Sequence, residues 1–180
     1  MKLYKTLCAA LLLVGASFAN ASVILTGSID TGSEVDYVSF SMTSDSFLEI
    51  NVLARGFNGS RLDSYIYLYR PDVSGALVGR NDDSRSGNWN ADGSTSGLDS
   101  YLNIFLTAGN YTLAIGDFFL SDTDARDGFN ESNASDTFVG AYQITFTGNG
   151  FVTDVPAPIG LSLLGLGLLG FSVSRSRRKA

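Results

Sequence analysis

Apolar residues in the middle of this chain recur at every second position and almost never at the 3.6-residue period of a helix. Val38-Ser39-Phe40-Ser41-Met42 alternates cleanly, and Leu48, Ile50, Val52 and Ala54 share one face while Glu49 and Asn51 take the other. Leu102, Ile104 and Leu106 repeat the pattern, as do Tyr111, Leu113 and Ile115, and then Tyr142-Gln143-Ile144-Thr145-Phe146-Thr147. Successive side chains of a strand point to opposite faces of its sheet, so this spacing predicts half-buried β-strands. Tyr65-Ile66-Tyr67-Leu68-Tyr69 reads as a strand covered partly on both faces. Its three tyrosines share one face, either as core or edge packing or as a ligand platform. Clusters of Gly, Asn, Asp and Ser separate the runs at 55–60, 72–75, 82–97, 108–110 and 117–136. Roughly seven to nine short strands with no helical stretch predict an all-β fold, an antiparallel β-sandwich or jelly-roll-like arrangement.

Composition narrows the chemistry. The 180 residues contain no His and a single Cys, Cys8. Without His there is no Ser-His-Asp or Cys-His nucleophile, no His general base and no ordinary catalytic zinc site. Cys8 lies too near the N-terminus to serve a folded core, which removes disulfides and thiolate metal sites. Paired carboxylates could still act on a glycosidic bond, but no spacing singles out a pair. The expected protein is not an enzyme. Residues 22–153 carry six Arg, no Lys and seventeen Asp or Glu, a net charge of −11. Such a domain repels nucleic acid and anionic lipid surfaces, so no nucleic-acid partner is expected.

The two ends read as addresses. Lys2 and Lys5 form a positive region, residues 7–14 an apolar run, and Ala19-Asn20-Ala21 places small residues at Ala19 and Ala21, as signal-peptide cleavage requires. Residues 1–21 are therefore expected to be a secretory signal peptide, leaving an exported domain over 22–153. Residues 154–180 contain three parts in order. Val155-Pro156-Ala157-Pro158 is stiff and extended, residues 159–173 are uncharged and rich in Leu and Gly, and Arg175, Arg177, Arg178 and Lys179 close the chain. The fifteen apolar residues predict a short transmembrane helix, extended by snorkelling cations, with the basic end kept cytoplasmic.

That order of proline motif, short Gly/Leu span and Arg cluster closely resembles the PEP-CTERM sorting signal of exported Gram-negative proteins. The resemblance implies an exosortase-type processing enzyme as partner, an intermediate anchored in the inner membrane, and a final place at the cell surface or outside the cell. Ala157 stands where the family motif has Glu. An ordinary anchor that is never cut is the alternative.

A second resemblance covers about residues 27–147. Asp63-Ser64 before the aromatic strand, Leu77-Val78-Gly79-Arg80-Asn81-Asp82-Asp83, Leu98-Asp99-Ser100-Tyr101-Leu102 and Leu106-Thr107-Ala108-Gly109-Asn110-Tyr111-Thr112-Leu113 occur in that order. The series is similar to a bacterial pre-peptidase C-terminal domain, more narrowly to a DVUA0089-type exported protein. The resemblance implies a β-sandwich without catalysis of its own; some members bind calcium and some adhere to polymeric substrates. No enzyme is attached here, so a targeting role does not carry over whole.

Asp63, Asn81, Asp82, Asp83 and Asp99 sit at strand ends, and if those ends share a rim their oxygens could converge on Ca²⁺. The competing reading is turn chemistry on an acidic surface. Asp122-Thr123-Asp124-Ala125-Arg126-Asp127-Gly128 misses an EF-hand spacing by one residue and is expected to be a mobile loop. Trp89 lies in a loop beside Arg85, Asn88, Asn90 and Asp92, either as a sugar-stacking platform or folded over the sandwich edge. Together these features point to a non-catalytic surface or matrix protein in adhesion or in exopolysaccharide and biofilm organisation. A lectin-like module and a purely structural surface protein without ligand are the alternatives. Intact-mass analysis of exported protein is expected to find a chain lacking the Arg175–Lys179 cluster; a species still carrying Arg178 overturns processing.

Overall fold

A computed structural model describes residues 21–84, 93–94, 96–130 and 136–153. Residues 1–20 of the expected signal peptide, Trp89, and the expected sorting tail with its apolar segment lie outside them. Nine strands form among the described residues: β1 (Ala21–Ile29), β2 (Asp36–Met42), β3 (Ser46–Leu53), β4 (Ser64–Arg70), β5 (Ala76–Asn81), β6 (Tyr101–Leu106), β7 (Gly109–Asp117), β8 (Gly140–Gly148) and β9 (Phe151–Thr153). They pair into two antiparallel sheets, β1-β8-β3-β6 and β5-β4-β7-β2-β9. The expected sandwich is present.

The alternating residues make the core between the sheets. Leu48, Ile50 and Val52 of β3 and Ile144 and Phe146 of β8 face Phe40, Met42, Ile66, Leu68, Leu113 and Ile115 of the other sheet, all almost fully buried. Phe40 ties the layers, with ring centroids 5.5 Å from Tyr111, 5.5 Å from Phe146 and 5.2 Å from Phe151. β1, β5 and β9 are the strands that period-two reading did not pick out. In β1 an apolar residue, Ile24, faces outward between inward-facing Val23 and Leu25, so the polar–apolar pattern is lost; β5 is largely exposed and β9 has only three residues. Residues 108–110, expected as a turn, are mostly strand, because β7 already begins at Gly109. Gly140 is required where β8 starts: its φ is +144° and an added Cβ would lie 2.9 Å from the Ser60 Cα.

The segment after β7 corrects the expectation of a mobile loop without helix. Asp122–Asp127 forms a helix, α1. Ser121 and Asp124 make a reciprocal capping box, and Gly128 at φ 78° closes the C-terminal end. One and a half turns are too short to leave a periodic trace, which is why the alternation test missed α1. Helix α1 and the chain leading to it cover the outer face of β4. Ala125 and Leu120 pack on Tyr67 and Tyr69 in a second buried cluster with Val35 and Ala114.

Hydroxyls fasten this layer. Tyr67 Oη donates to the Leu120 carbonyl at 2.8 Å, Tyr69 Oη to Asp122 Oδ1 at 2.8 Å and Tyr37 Oη to the Ala125 carbonyl at 2.7 Å. The Arg126 guanidinium lies 4.5 Å from the centre of the Tyr69 ring and donates to the Val73 and Gly75 carbonyls. The tyrosines thus serve packing, and the acidic run 122–127 uses Asp122 and Asp124 in its own helix contacts. Tyr67→Phe is expected to lower unfolding free energy by about 1–2 kcal/mol, since the Leu120 carbonyl loses its donor inside a packed layer. Urea unfolding checks this.

Candidate functional site

Antiparallel pairing of β4 with β5 sets Ile66 opposite Asn81, so the entry to β4 and the exit from β5 lie at the same end of the sheet. Asp63 immediately precedes β4, and Asp82 and Asp83 immediately follow β5. One carboxylate oxygen from each of the three lies within 4.8 Å of the others. All three residues are half-buried. Burial and then the negative charges of Asp82 and Asp83 push the Asp63 carboxyl up to about 6, against the opposing pull of Arg55. Asp63 Oδ1 is buried and accepts no hydrogen bond, and the Ser84 hydroxyl is likewise buried without a partner. An oxygen in that state is a ligand position chemically, because a cation would satisfy it where no protein donor does.

Asn81 and Asp99 stand beside the trio as framework. Asn81 Oδ1 accepts from the Tyr101 backbone N–H at 2.8 Å and so joins the exit of β5 to the entry of β6. Asp99 is fully buried; Oδ1 accepts from the Arg55 backbone N–H at 2.7 Å and Oδ2 from the Ser94 hydroxyl. Ser64 and Ser100 complete the clasp. The Ser100 backbone N–H donates to Ser64 Oγ at 3.0 Å, and Ser100 Oγ lies 2.5 Å from the Ser64 carbonyl and 3.1 Å from that of Asp82. These bonds join the chain segments that carry the three carboxylates, with Asp82 tied in through its backbone carbonyl. Trp89, in the same inter-strand segment, is outside the described residues.

Asp117 is a buried acid that sequence reading missed. It ends β7, is fully buried, and its Oδ1 accepts from the Phe119 backbone N–H at 3.0 Å and from Asn130 Nδ2 at 2.7 Å. The Asn130 backbone N–H in turn donates to the Ser33 carbonyl at 2.9 Å. The pair closes the base of the α1 layer onto the β1–β2 connection. The signal was available: an Asp wedged between Ile115-Gly116 and Phe118-Phe119-Leu120 sits inside an apolar run, where an acid is costly without partners. Burial raises the Asp117 carboxyl to about 6, against the lowering effect of those two donors.

No protein-family model matches this chain, and no curated protein matches it. Among solved structures, it is similar to the pre-peptidase C-terminal domain of a collagenase from Bacillus anthracis, at 16% identity over 71% of this chain and 88% of that one, with a TM-score of 0.43. It is also similar to PliG of Salmonella Typhimurium, a periplasmic inhibitor of g-type lysozyme, at 15% identity over 74% and 94% of the two chains, with a TM-score of 0.38. A protein from Sulfurospirillum deleyianum aligns at 11% identity over 72% and 98%, with a TM-score of 0.36. Among the described residues no helix is long and apolar enough to cross a membrane.

Asp117 generates a pH dependence of known sign. Its folded value of about 6 exceeds its ordinary 3.8, so the native state binds the proton more tightly than the unfolded chain. That contribution is complete below the unfolded value and is lost as pH rises through the folded one. In EDTA, the melting temperature of Asp117→Asn is expected to fall less steeply than that of the wild type between these two values. A thermal melt series across that window checks it.

Proposed function

We propose that this protein is an exported, non-catalytic β-sandwich that works at the cell surface or in the extracellular matrix, in adhesion or exopolysaccharide organisation, with Ca²⁺ bracing its acidic rim. The observation that carries the calcium reading is the convergence of Asp63, Asp82 and Asp83 around a buried, unpartnered Asp63 oxygen. Like charges at this separation destabilise one another and raise Asp63, and a divalent cation removes that repulsion. Calcium accepts about six to eight oxygens at roughly 2.3–2.6 Å in flexible geometry, and carboxylates, backbone carbonyls and the Ser84 hydroxyl are the donors at hand. In this reading Ca²⁺ would join the entry of β4 to the exit of β5 outside the cell, where calcium is plentiful.

Export and sorting complete the proposal. The charged, apolar and small-residue series over 1–21 supports secretion, and the Val155-Pro156-Ala157-Pro158 motif with its apolar run and Arg cluster supports handling by an exosortase-type enzyme after transient membrane anchoring. The net charge of −11 on residues 22–153 favours a neutral extracellular polymer over nucleic acid as partner.

Thermal unfolding with EDTA and then with millimolar Ca²⁺ tests the rim. A ligand that binds only the native state at a hundred times its Kd adds ~2.7 kcal/mol, a rise of several degrees for a domain of this size. The rise is expected in the wild type and absent in Asp83→Ala. Equal melting curves with and without calcium in the wild type overturn the metal site.

A further inference from the structure

The outer face of the β1-β8-β3-β6 sheet carries side chains that neither the core nor the rim uses. Register places Phe47 of β3 opposite Phe105 of β6, and in the next outward row Glu49 lies between Asn103 and Thr147. Phe47 is 64% exposed and Phe105 54%, with ring centroids 5.3 Å apart at 69°. Beside them a groove of about 360 Å³ is lined by Ser46, Phe47, Glu49, Asn103, Thr147 and Asn149. Farther along β6, Tyr101 points to the same face as Asn103 and Phe105, by strand alternation, at about 13 Å from Phe105 at ~3.3 Å per residue.

We infer that this groove is a binding site for a neutral polysaccharide. A pyranose ring has an apolar C–H face and an equatorial belt of hydroxyls. Phe47 and Phe105 supply a surface for the first, while the amides of Asn103 and Asn149, the Glu49 carboxylate and the hydroxyls of Ser46 and Thr147 supply donors and acceptors for the second. The row next to the two rings is polar on all three strands, which matches the hydroxyl belt of a sugar. Charge selects the class of glycan. Among the described residues Glu49 is the one ionisable group lining the groove, and it is an acid in a domain of charge −11, so uronate- or phosphate-bearing chains are repelled. The inference deepens the adhesion reading by giving it a surface and a ligand class, and it is independent of the calcium rim.

Affinity electrophoresis of the full-length protein in mild detergent tests it, through gels containing soluble β-glucan, galactomannan or dextran and through gels containing alginate. The expected result is retardation in at least one neutral gel and none in alginate. Phe47→Ala, Phe105→Ala and the milder Phe47→Leu should each weaken the retarding interaction, the alanine variants roughly tenfold. Phe119→Ala, exposed elsewhere, should migrate as wild type, and unchanged melting temperatures show that the variants fold. Retention in alginate alone, or in none of the gels, overturns the inference. Wild-type retention that survives both alanine substitutions also overturns it, while leaving polysaccharide adhesion by another surface standing.

Discussion

Strand β4 is buried on both faces, and the other layers are arranged around that fact. Ile66 and Leu68 enter the space between the sheets, while Tyr67 and Tyr69 enter the layer under α1. A strand in the middle of a two-layer sandwich ordinarily has one wet face, so the tyrosine side needs a cover. Helix α1 supplies it with only six residues, because Tyr67, Tyr69 and Tyr37 each reach a polar partner in the covering chain. The phenol is suited to this position: its ring fills the interface and its hydroxyl satisfies a backbone or carboxylate group that would otherwise be buried without a partner.

The same strand positions the rim. Asp63 leads into β4, and pairing with β5 fixes where Asp82 and Asp83 emerge. Their mutual repulsion is opposed by a local network in which Ser64, Ser100, Asn81 and Asp99 hold the three chain segments together through backbone groups. The backbone network thus fixes the segments from which Asp63, Asp82 and Asp83 project, and so brings one oxygen of each within 4.8 Å of the others.

The two large faces of the sandwich differ in consequence. The five-stranded sheet buries Tyr67 and Tyr69 of its outer face under α1, whereas the four-stranded sheet leaves Phe47 and Phe105 in solvent beside a polar row. Exposed rings on a regular strand gain nothing from the core. Their pairing across β3 and β6, next to Asn103 and Glu49, puts two rings and a polar row side by side on the open face.

Alternation was legible directly, since burial of one sheet face demands apolar residues at every second position; β2, β3, β4, β6, β7 and β8 follow from it. The candidate rim residues were also visible, as Asp and Asn at the ends of such runs. What the linear pattern could not supply was adjacency. Asp63 and Asp83 are twenty residues apart and meet only because β4 and β5 pair, and Phe47 meets Phe105 only through the β3–β6 register. Nor could alternation separate Asp63, Asp82 and Asp83, which converge, from Asn81 and Asp99, which hold backbone. That division depends on which donors lie within about 3 Å, a property of packing. Sequence by itself determined the class of fold, the missing histidine chemistry and the acidic charge, because these depend on residue type and period. Tertiary structure alone decided which acids gather, which tyrosines are covered and which phenylalanines stay exposed, because each depends on long-range pairing between strands.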